Sequence, residues 1–313
     1  MNAIARPQGQ LMMLRAACAG LRLYFRHVPL RSGKEWLWNR IVHRHILWRS
    51  FRIEARTRFG ARLEGAFPDV VHSYVYFFGI WEPSVTALLR ASLKPGDVVI
   101  DIGANVGLHT LLAASLVGPR GRVHAVEASP WIFRRLERNL AANGAGNVRA
   151  YNVAATAEAG PVPVFLHDDT NLGGTTIVAE EAARNGARHE ATVEGRPLAQ
   201  IVPAEEITAA RLIKIDVEGA EWMVLQGMKD ILPRLREDAE VLVEVKPAAL
   251  NETGGSLEAL LALFREAGFH PFEVANDYRP GFYIRPAPTR LVPFTRTGFD
   301  MADLVFRRAG GPG

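Results

Sequence analysis

Val98-Val99-Ile100-Asp101-Ile102-Gly103-Ala104-Asn105-Val106-Gly107 is the stretch on which the reading of this 313-residue chain turns. Val98 to Ile100 are all β-branched and apolar on both faces, the pattern of a strand buried within a parallel sheet. Gly103 and Gly107 bracket a loop in which the backbone can turn tightly and approach a ligand with no Cβ in the way. The apolar residues that follow, through about Val117, read as a helix whose N-terminus points at that ligand.

Outward from this loop the text is regular. Residues 83–91 read as a helix, and Lys94-Pro95-Gly96-Asp97 as the turn that delivers the first strand. Gly118-Pro119-Arg120-Gly121 leads into a second strand, 122–126. Ser129 is placed as an N-cap with Pro130 at the first helical position, and Asn143-Gly144 ends that helix. A third strand is expected at 148–154, a fourth at 212–216, a fifth at 241–245, and two more at 270–274 and 304–307. Helices are expected from 220 and over 257–267. Strand and helix alternating through short turns specify a doubly wound, mostly parallel α/β sheet. The rhythm breaks at about 160–200, where 163–166 and 190–193 read as short strands flanking a polar loop, 168–175. An insertion there lies near the carboxyl ends of the strands, where open sheets bind ligands. It is either a substrate lid or a solvated hairpin.

The chemistry concentrates at three places. The loop lacks the third glycine and the spacing of a pyrophosphate cradle, so Gly103, Ala104, Asn105 and Gly107 are assigned to a ligand without a diphosphate. Asp101, just before the first glycine, suits a cationic group such as the amino group of a methionyl moiety, and would sit badly beside a phosphate. Glu127, at the end of the second strand, can accept hydrogen bonds from both ribose hydroxyls. Ala154, closing the third strand, is expected to border the same pocket. Together these residues favour a nucleoside with an uncharged linker and a positive head, the character of an adenosylmethionine site. In Lys214-Ile215-Asp216-Val217-Glu218-Gly219-Ala220-Glu221, Asp216 should face the reactive end of that cofactor. It is the first candidate for a base or an orienting group and Glu218 the second, with Glu82 and His109 behind them. A carboxylate beside a sulfonium has its pKa lowered, which favours orienting over proton abstraction. Glu218 and Glu221, three apart, are expected on one face of the entering helix, where acids also suit the helix dipole. No His, Cys or carboxylate cluster has metal-ligand spacing, so no required metal is expected.

The run 101–107, then Val126-Glu127-Ala128-Ser129-Pro130 with Asn139 downstream, then 214–221, resembles the FkbM family of methyltransferases over roughly residues 80–247. That resemblance implies a class I methyltransferase (Rossmann-like) fold, a seven-stranded sheet ending in an antiparallel strand, S-adenosylmethionine as cofactor, and usually a hydroxyl acceptor, a small molecule or glycan. Ala128 stands where the family commonly has proline, and Arg196-Pro197-Leu198-Ala199 where it often has a Leu-Asp pair.

The first 75 residues lie outside the resemblance and are read as a basic, mainly helical extension to a catalytic domain at 76–309. Residues 1–62 carry thirteen Arg or Lys against Glu35 and Glu54, a charge of +11, whereas the whole chain carries +4, so the remainder sums to −7. A basic arm on a mildly acidic body suggests an anionic neighbour. Leu11, Leu14, Cys18, Leu21, Phe25 and Val28 share one helical face, which docks on the protein or lies on anionic lipid. Trp36, Trp38 and Trp48 stand among Arg40, Arg44 and Arg49 with no nucleic-acid recognition motif, so a nucleic-acid partner is not expected. No apolar run is long enough to span a bilayer or to read as a secretory signal, and Cys18 is the single cysteine. A cytoplasmic protein is expected, with peripheral contact of residues 1–62 to an anionic surface left open beside docking within the protein. Two other readings stay open: a nicotinamide-dependent oxidoreductase, which needs a complete pyrophosphate loop, and a non-catalytic scaffold that keeps the fold.

Overall fold

Short strands that are buried from end to end can satisfy their backbones only inside a sheet, and here they do so side by side. The structure is a computed structural model that describes residues 8–30, 32–167, 172–284 and 291–308. Strands β1 (Phe51–Arg56) and β2 (Arg62–Phe67) form an antiparallel hairpin. Strands β3 (Val98–Ile102), β4 (Arg122–Val126) and β5 (Val148–Tyr151) pair in parallel. A second sheet holds β6 (Ala154–Ala155), β7 (Gly160–Leu166) and β8 (Arg188–Arg196) in the order β6-β8-β7. The chain then returns to the main sheet with β9 (Ala210–Ile215), β10 (Glu240–Val245), β11 (Phe269–Val274), β12 (Leu291–Pro293) and β13 (Ala302–Arg308).

The main sheet has eight strands in the order β12-β11-β13-β10-β9-β3-β4-β5. Strand β13 runs antiparallel between β10 and β11, as the resemblance implied, but β12 adds an eighth strand antiparallel to the edge of β11. The strand order reverses between β3 and β9, which opens a crevice at their carboxyl ends. The Leu108–Val117 helix buries eight of its ten residues against this sheet. Ser129 caps the Pro130–Ala142 helix, its hydroxyl accepting from the Ile132 amide at 3.1 Å, with Pro130 in the first turn where no amide donor is needed.

Two expectations are corrected. The third strand does not run through to Ala154: it ends at Tyr151, and Ala154 and Ala155 leave the main sheet to pair with β8. The insertion is a long antiparallel pairing of β7 with β8 around a short helix, Ala179–Asn185. The described amino-terminal region is mainly helical and also holds the β1–β2 hairpin, because alternation in 51–56 buries one face against the Val70–Phe78 helix.

The first helix, Gln8–His27, buries Cys18 and Phe25 and packs on the Val70–Phe78 helix, so the face read from its apolar spacing docks within the chain. Trp38, Val42 and Ile46 are buried at spacings of four in a π-helical segment, Trp38–Ile46. Trp38 meets Phe25, Phe77 and Phe78 within 6.0 Å, and each such side chain contributes about 2 kcal/mol by burial. The same apolar cluster continues into Leu108, Ala125 and Leu136 beneath the sheet, so residues on both sides of position 75 share one core.

Candidate active site

Parallel strands end on the same side, and the carboxyl ends of β3, β4, β9 and β10 converge on a cavity of about 410 Å³. Asp101, Gly103, Ala104, Asn105, Glu127, Ala154, Asp216 and Glu218 all line it. Gly107 is not among the lining residues. It starts the Leu108–Val117 helix at φ +90°, where an L side chain is strained and a Cβ would stand 2.6 Å from Leu136 Cδ1. Gly103 serves the same packing logic more stringently, because at φ +83° a Cβ would collide with the Asp216 carbonyl oxygen of the neighbouring strand end.

On one side of the cavity two carboxylates are held with capacity to spare. Asp101 is buried; its Oδ2 accepts from the Thr110 hydroxyl at 2.6 Å, while its Oδ1 has no hydrogen-bond partner and lies 3.9 Å from Lys214 Nζ. Burial raises its pKa, so an incoming cation stabilises the ionised form. Glu127 accepts the Asn105 amide on Oε2 and the Ser129 amide on Oε1, both at 2.9 Å. Burial pushes its pKa up to about 7 against those two donors. The backbone fixes the carboxylate and leaves each oxygen a lone pair for a ribose hydroxyl. An orphaned buried Asp oxygen beside a clamped Glu fits the ammonium and ribose of S-adenosylmethionine.

The other side holds groups that the motif reading placed apart. Lys214 Nζ donates to Asp216 Oδ2 at 2.7 Å. Burial pushes the Asp216 pKa up, but Lys214 and Lys246 outweigh it and the net direction is down. Lys246 Nζ sits 2.6 Å from carboxylate oxygens of both Glu218 and Glu244. Oxygens of Asp216, Glu218 and Glu244 lie within 4.8 Å of one another, a grouping that no sequence spacing displayed, and the Lys246 ammonium is already seated against it. Glu221 does not share a face with Glu218. The helix starts at Glu221, whose buried carboxylate turns back to accept the Val217 and Gly219 amides and pins the loop.

Glu82 and His109, ranked behind Asp216 and Glu218 from the sequence, also line the cavity. Glu82 Oε1 accepts the Tyr278 hydroxyl at 2.8 Å, and its Oε2 lies 3.7 Å from His109 Nε2, which has no hydrogen-bond partner. Burial, with Asp303 and Asp216 nearby, pushes the Glu82 pKa up to about 8, while burial pushes His109 down to about 3. Among the described residues, the non-glycine residues at positive φ are Glu82 (43°), Asn105 (51°) and Glu218 (53°), and all three line this cavity. Backbone strain of that kind is kept where it places functional groups. Gly173, Thr175, Thr176 and Ile177 close the cavity from the insertion, and the Thr176 hydroxyl donates to the Glu218 carbonyl at 2.7 Å. Residues 168–171 of the polar loop lie outside the described residues.

The sequence profile of the family described as "Methyltransferase FkbM domain" matches residues 101–271, more than half of the chain. The chain is 31% identical over 204 residues to the 31-O-demethyl-FK506 methyltransferase FkbM of Streptomyces tacrolimicus, covering 56% of this chain and 74% of that protein. It is 28% identical over 151 residues to the hexuronic acid methyltransferase AglP of Haloferax volcanii, covering 48% and 58%. Among solved structures, a methyltransferase FkbM from Methylobacillus flagellatus KT aligns at 14% identity over 76% of this chain and 54% of that one, with a TM-score of 0.38. Aeropyrum pernix fibrillarin in complex with S-adenosyl-L-methionine aligns at 14% identity over 83% of each chain, with a TM-score of 0.39.

Proposed function

The chain belongs to the FkbM family and is an S-adenosylmethionine-dependent methyltransferase, and from that premise we propose that it methylates a hydroxyl of a small molecule or glycan. The observation that carries the proposal is the division of the cavity. Asp101 and Glu127 provide for the cofactor on one side, and Glu82, with a pKa of about 8, stands on the wall shared with Asp216 on the other. A hydroxyl is a poor nucleophile until its proton can leave, and a carboxylate poised near neutral pH is matched to receive it. The names of the two relatives, a 31-O-demethyl compound's methyltransferase and a hexuronic acid methyltransferase, support an oxygen-bearing acceptor.

When bound, S-adenosylmethionine supplies an electrophilic methyl group. Asp101 Oδ1 would hold its ammonium and Glu127 its ribose hydroxyls. Asp216, kept ionised by Lys214, orients the acceptor hydroxyl, and Glu82 takes the hydroxyl proton as the oxygen attacks. Tyr278 fixes the Glu82 carboxylate. Glu218, bound by Lys246, braces the loop that presents Asp216. Much of the acceleration would come from holding the two reactants at near-attack distance.

The test is transfer of labelled methyl from S-adenosylmethionine to a panel of hydroxylated acceptors, with the product identified as a methyl ether. An N-methyl product would overturn the hydroxyl assignment. Cofactor binding with no transfer to any acceptor or cell extract would favour the non-catalytic scaffold.

A further inference from the structure

The first helix packs one face on the protein, and its opposite face is apolar too. Inward lie Leu14, Cys18, Leu21 and Phe25; outward, at helical spacing, lie Met12, Met13, Ala16, Gly20 and Leu23. Met12 and Met13 are more than 70% exposed. A helix with apolar residues on two opposite faces covers only one of them here and leaves the other against water. The next helical segment repeats the arrangement. Trp38, Val42 and Ile46 point inward, and two residues out of phase stand Trp36, Arg40 and Arg44, with Trp48 one step beyond, all exposed. Seven large hydrophobic side chains are exposed among the described residues, and six of them (Met12, Met13, Leu23, Leu30, Trp36 and Trp48) fall within residues 12–48.

The charge around this surface decides what covers it. Arg26, Lys34 and Arg58 are spent inside the fold: Lys34 Nζ caps the first helix through the Phe25 and Val28 carbonyls, and Arg26 and Arg58 donate to carbonyls that end the Val70–Phe78 helix. Arg15, Arg40, Arg44, Arg49 and Arg52 stay exposed beside the apolar residues. We propose that this amino-terminal surface, the outward face of Gln8–His27 with Trp36, Arg40, Arg44 and Trp48, docks the protein on the surface of an anionic phospholipid bilayer. A symmetric pairing with a second copy would place this basic patch against itself and bring like charges together. A lipid surface instead offers acyl chains to the Met, Leu and Trp side chains and phosphates to the guanidinium groups. No helix among the described residues is long and apolar enough to cross a membrane, so the contact is peripheral.

The test is cosedimentation of the full chain with vesicles of phosphatidylcholine alone and of phosphatidylcholine mixed with phosphatidylglycerol. Binding should require the anionic lipid and weaken with salt. Arg40→Gln and Arg44→Gln should each weaken it by about five-fold. Met13→Gln and Leu23→Gln, both at exposed positions, should weaken it while leaving S-adenosylhomocysteine binding unchanged. That cofactor titration keeps failure of the docking proposal separate from failure of the methyltransferase reading. Wild-type protein that stays in the supernatant with anionic vesicles at low salt would overturn the proposal. So would a concentration-dependent dimer that Leu23→Gln dissociates, or binding to RNA in preference to lipid.

Discussion

Tyr278 donates its hydroxyl to Glu82 Oε1 at 2.8 Å, joining residues 196 positions apart at the wall of the cavity. Burial holds the Glu82 pKa at about 8 even though the Tyr278 hydrogen bond pulls it down. A base of that pKa is protonated and idle in mild acid. Turnover should therefore rise with pH through about 8, and Tyr278→Phe should move that midpoint to higher pH by removing a donor to the ionised form. Glu82→Gln should lower kcat by about 10²- to 10⁴-fold and abolish the rise. A kcat that is flat from pH 6 to pH 9 (roughly two units below to one above the Glu82 value) would rule Glu82 out as the base.

In the proposed mechanism the cofactor's ammonium sits on Asp101 Oδ1, which has no hydrogen-bond partner. Asp101→Asn keeps the shape and removes the charge, and should weaken S-adenosylmethionine binding roughly ten- to a hundred-fold, the worth of a charged hydrogen bond. Titration calorimetry measures this directly, and NADPH should give no heat with either protein.

Asp216→Asn should cut turnover strongly and leave cofactor affinity within a few-fold. Lys214 spends its donor on Asp216 at 2.7 Å, so what is lost is the orientation of the acceptor hydroxyl. Unchanged single-turnover rates would remove Asp216 from the mechanism.

The stability of the cofactor-free protein should fall as pH rises from about 4.5 to about 8. Burial raises Glu221 and Glu127 to about 7 and Glu82 to about 8, against an ordinary value of 4.5. The folded state therefore binds more protons than the unfolded one across that window, and ionising the buried groups costs stability. Thermal unfolding should show a lower Tm at pH 8 than at pH 5.5, intermediate between the ordinary carboxylate value and the shifted ones, and Glu221→Gln should flatten the slope.

The two loop glycines should separate by mechanism. Gly103→Ala drives a Cβ into the Asp216 carbonyl of a rigid strand end, and should cost at least ~3 kcal/mol together with the backbone strain. Gly107→Ala meets only the end of the Leu136 side chain, which can move, and should cost about 1–2 kcal/mol. Urea denaturation distinguishes them.

What could be read from the amino acids alone was whatever depends on neighbours in the chain. The β-branched run before Asp101, the Ser129-Pro130 cap and the spacing to Lys214–Glu221 specified the doubly wound sheet, the cofactor loop and the family. Local pattern failed where a residue's partner is remote. Ala154 reads as the end of a strand because nothing nearby reveals β8, and residues 51–67 carry too short an alternation to announce a hairpin. The sequence ranked Glu82 and His109 behind Asp216 and Glu218, and it gave no sign of Lys246, Glu244 or Tyr278 beside them. Glu82, His109, Lys246 and Tyr278 belong to no common motif, and they meet only because the parallel strands end together. Their proton affinities follow from burial, which is a property of the folded molecule and of no single segment. The sequence could propose Asp101 and Glu127 for the cofactor, and only the tertiary structure shows that burial pushes the pKa of Glu82 up to about 8.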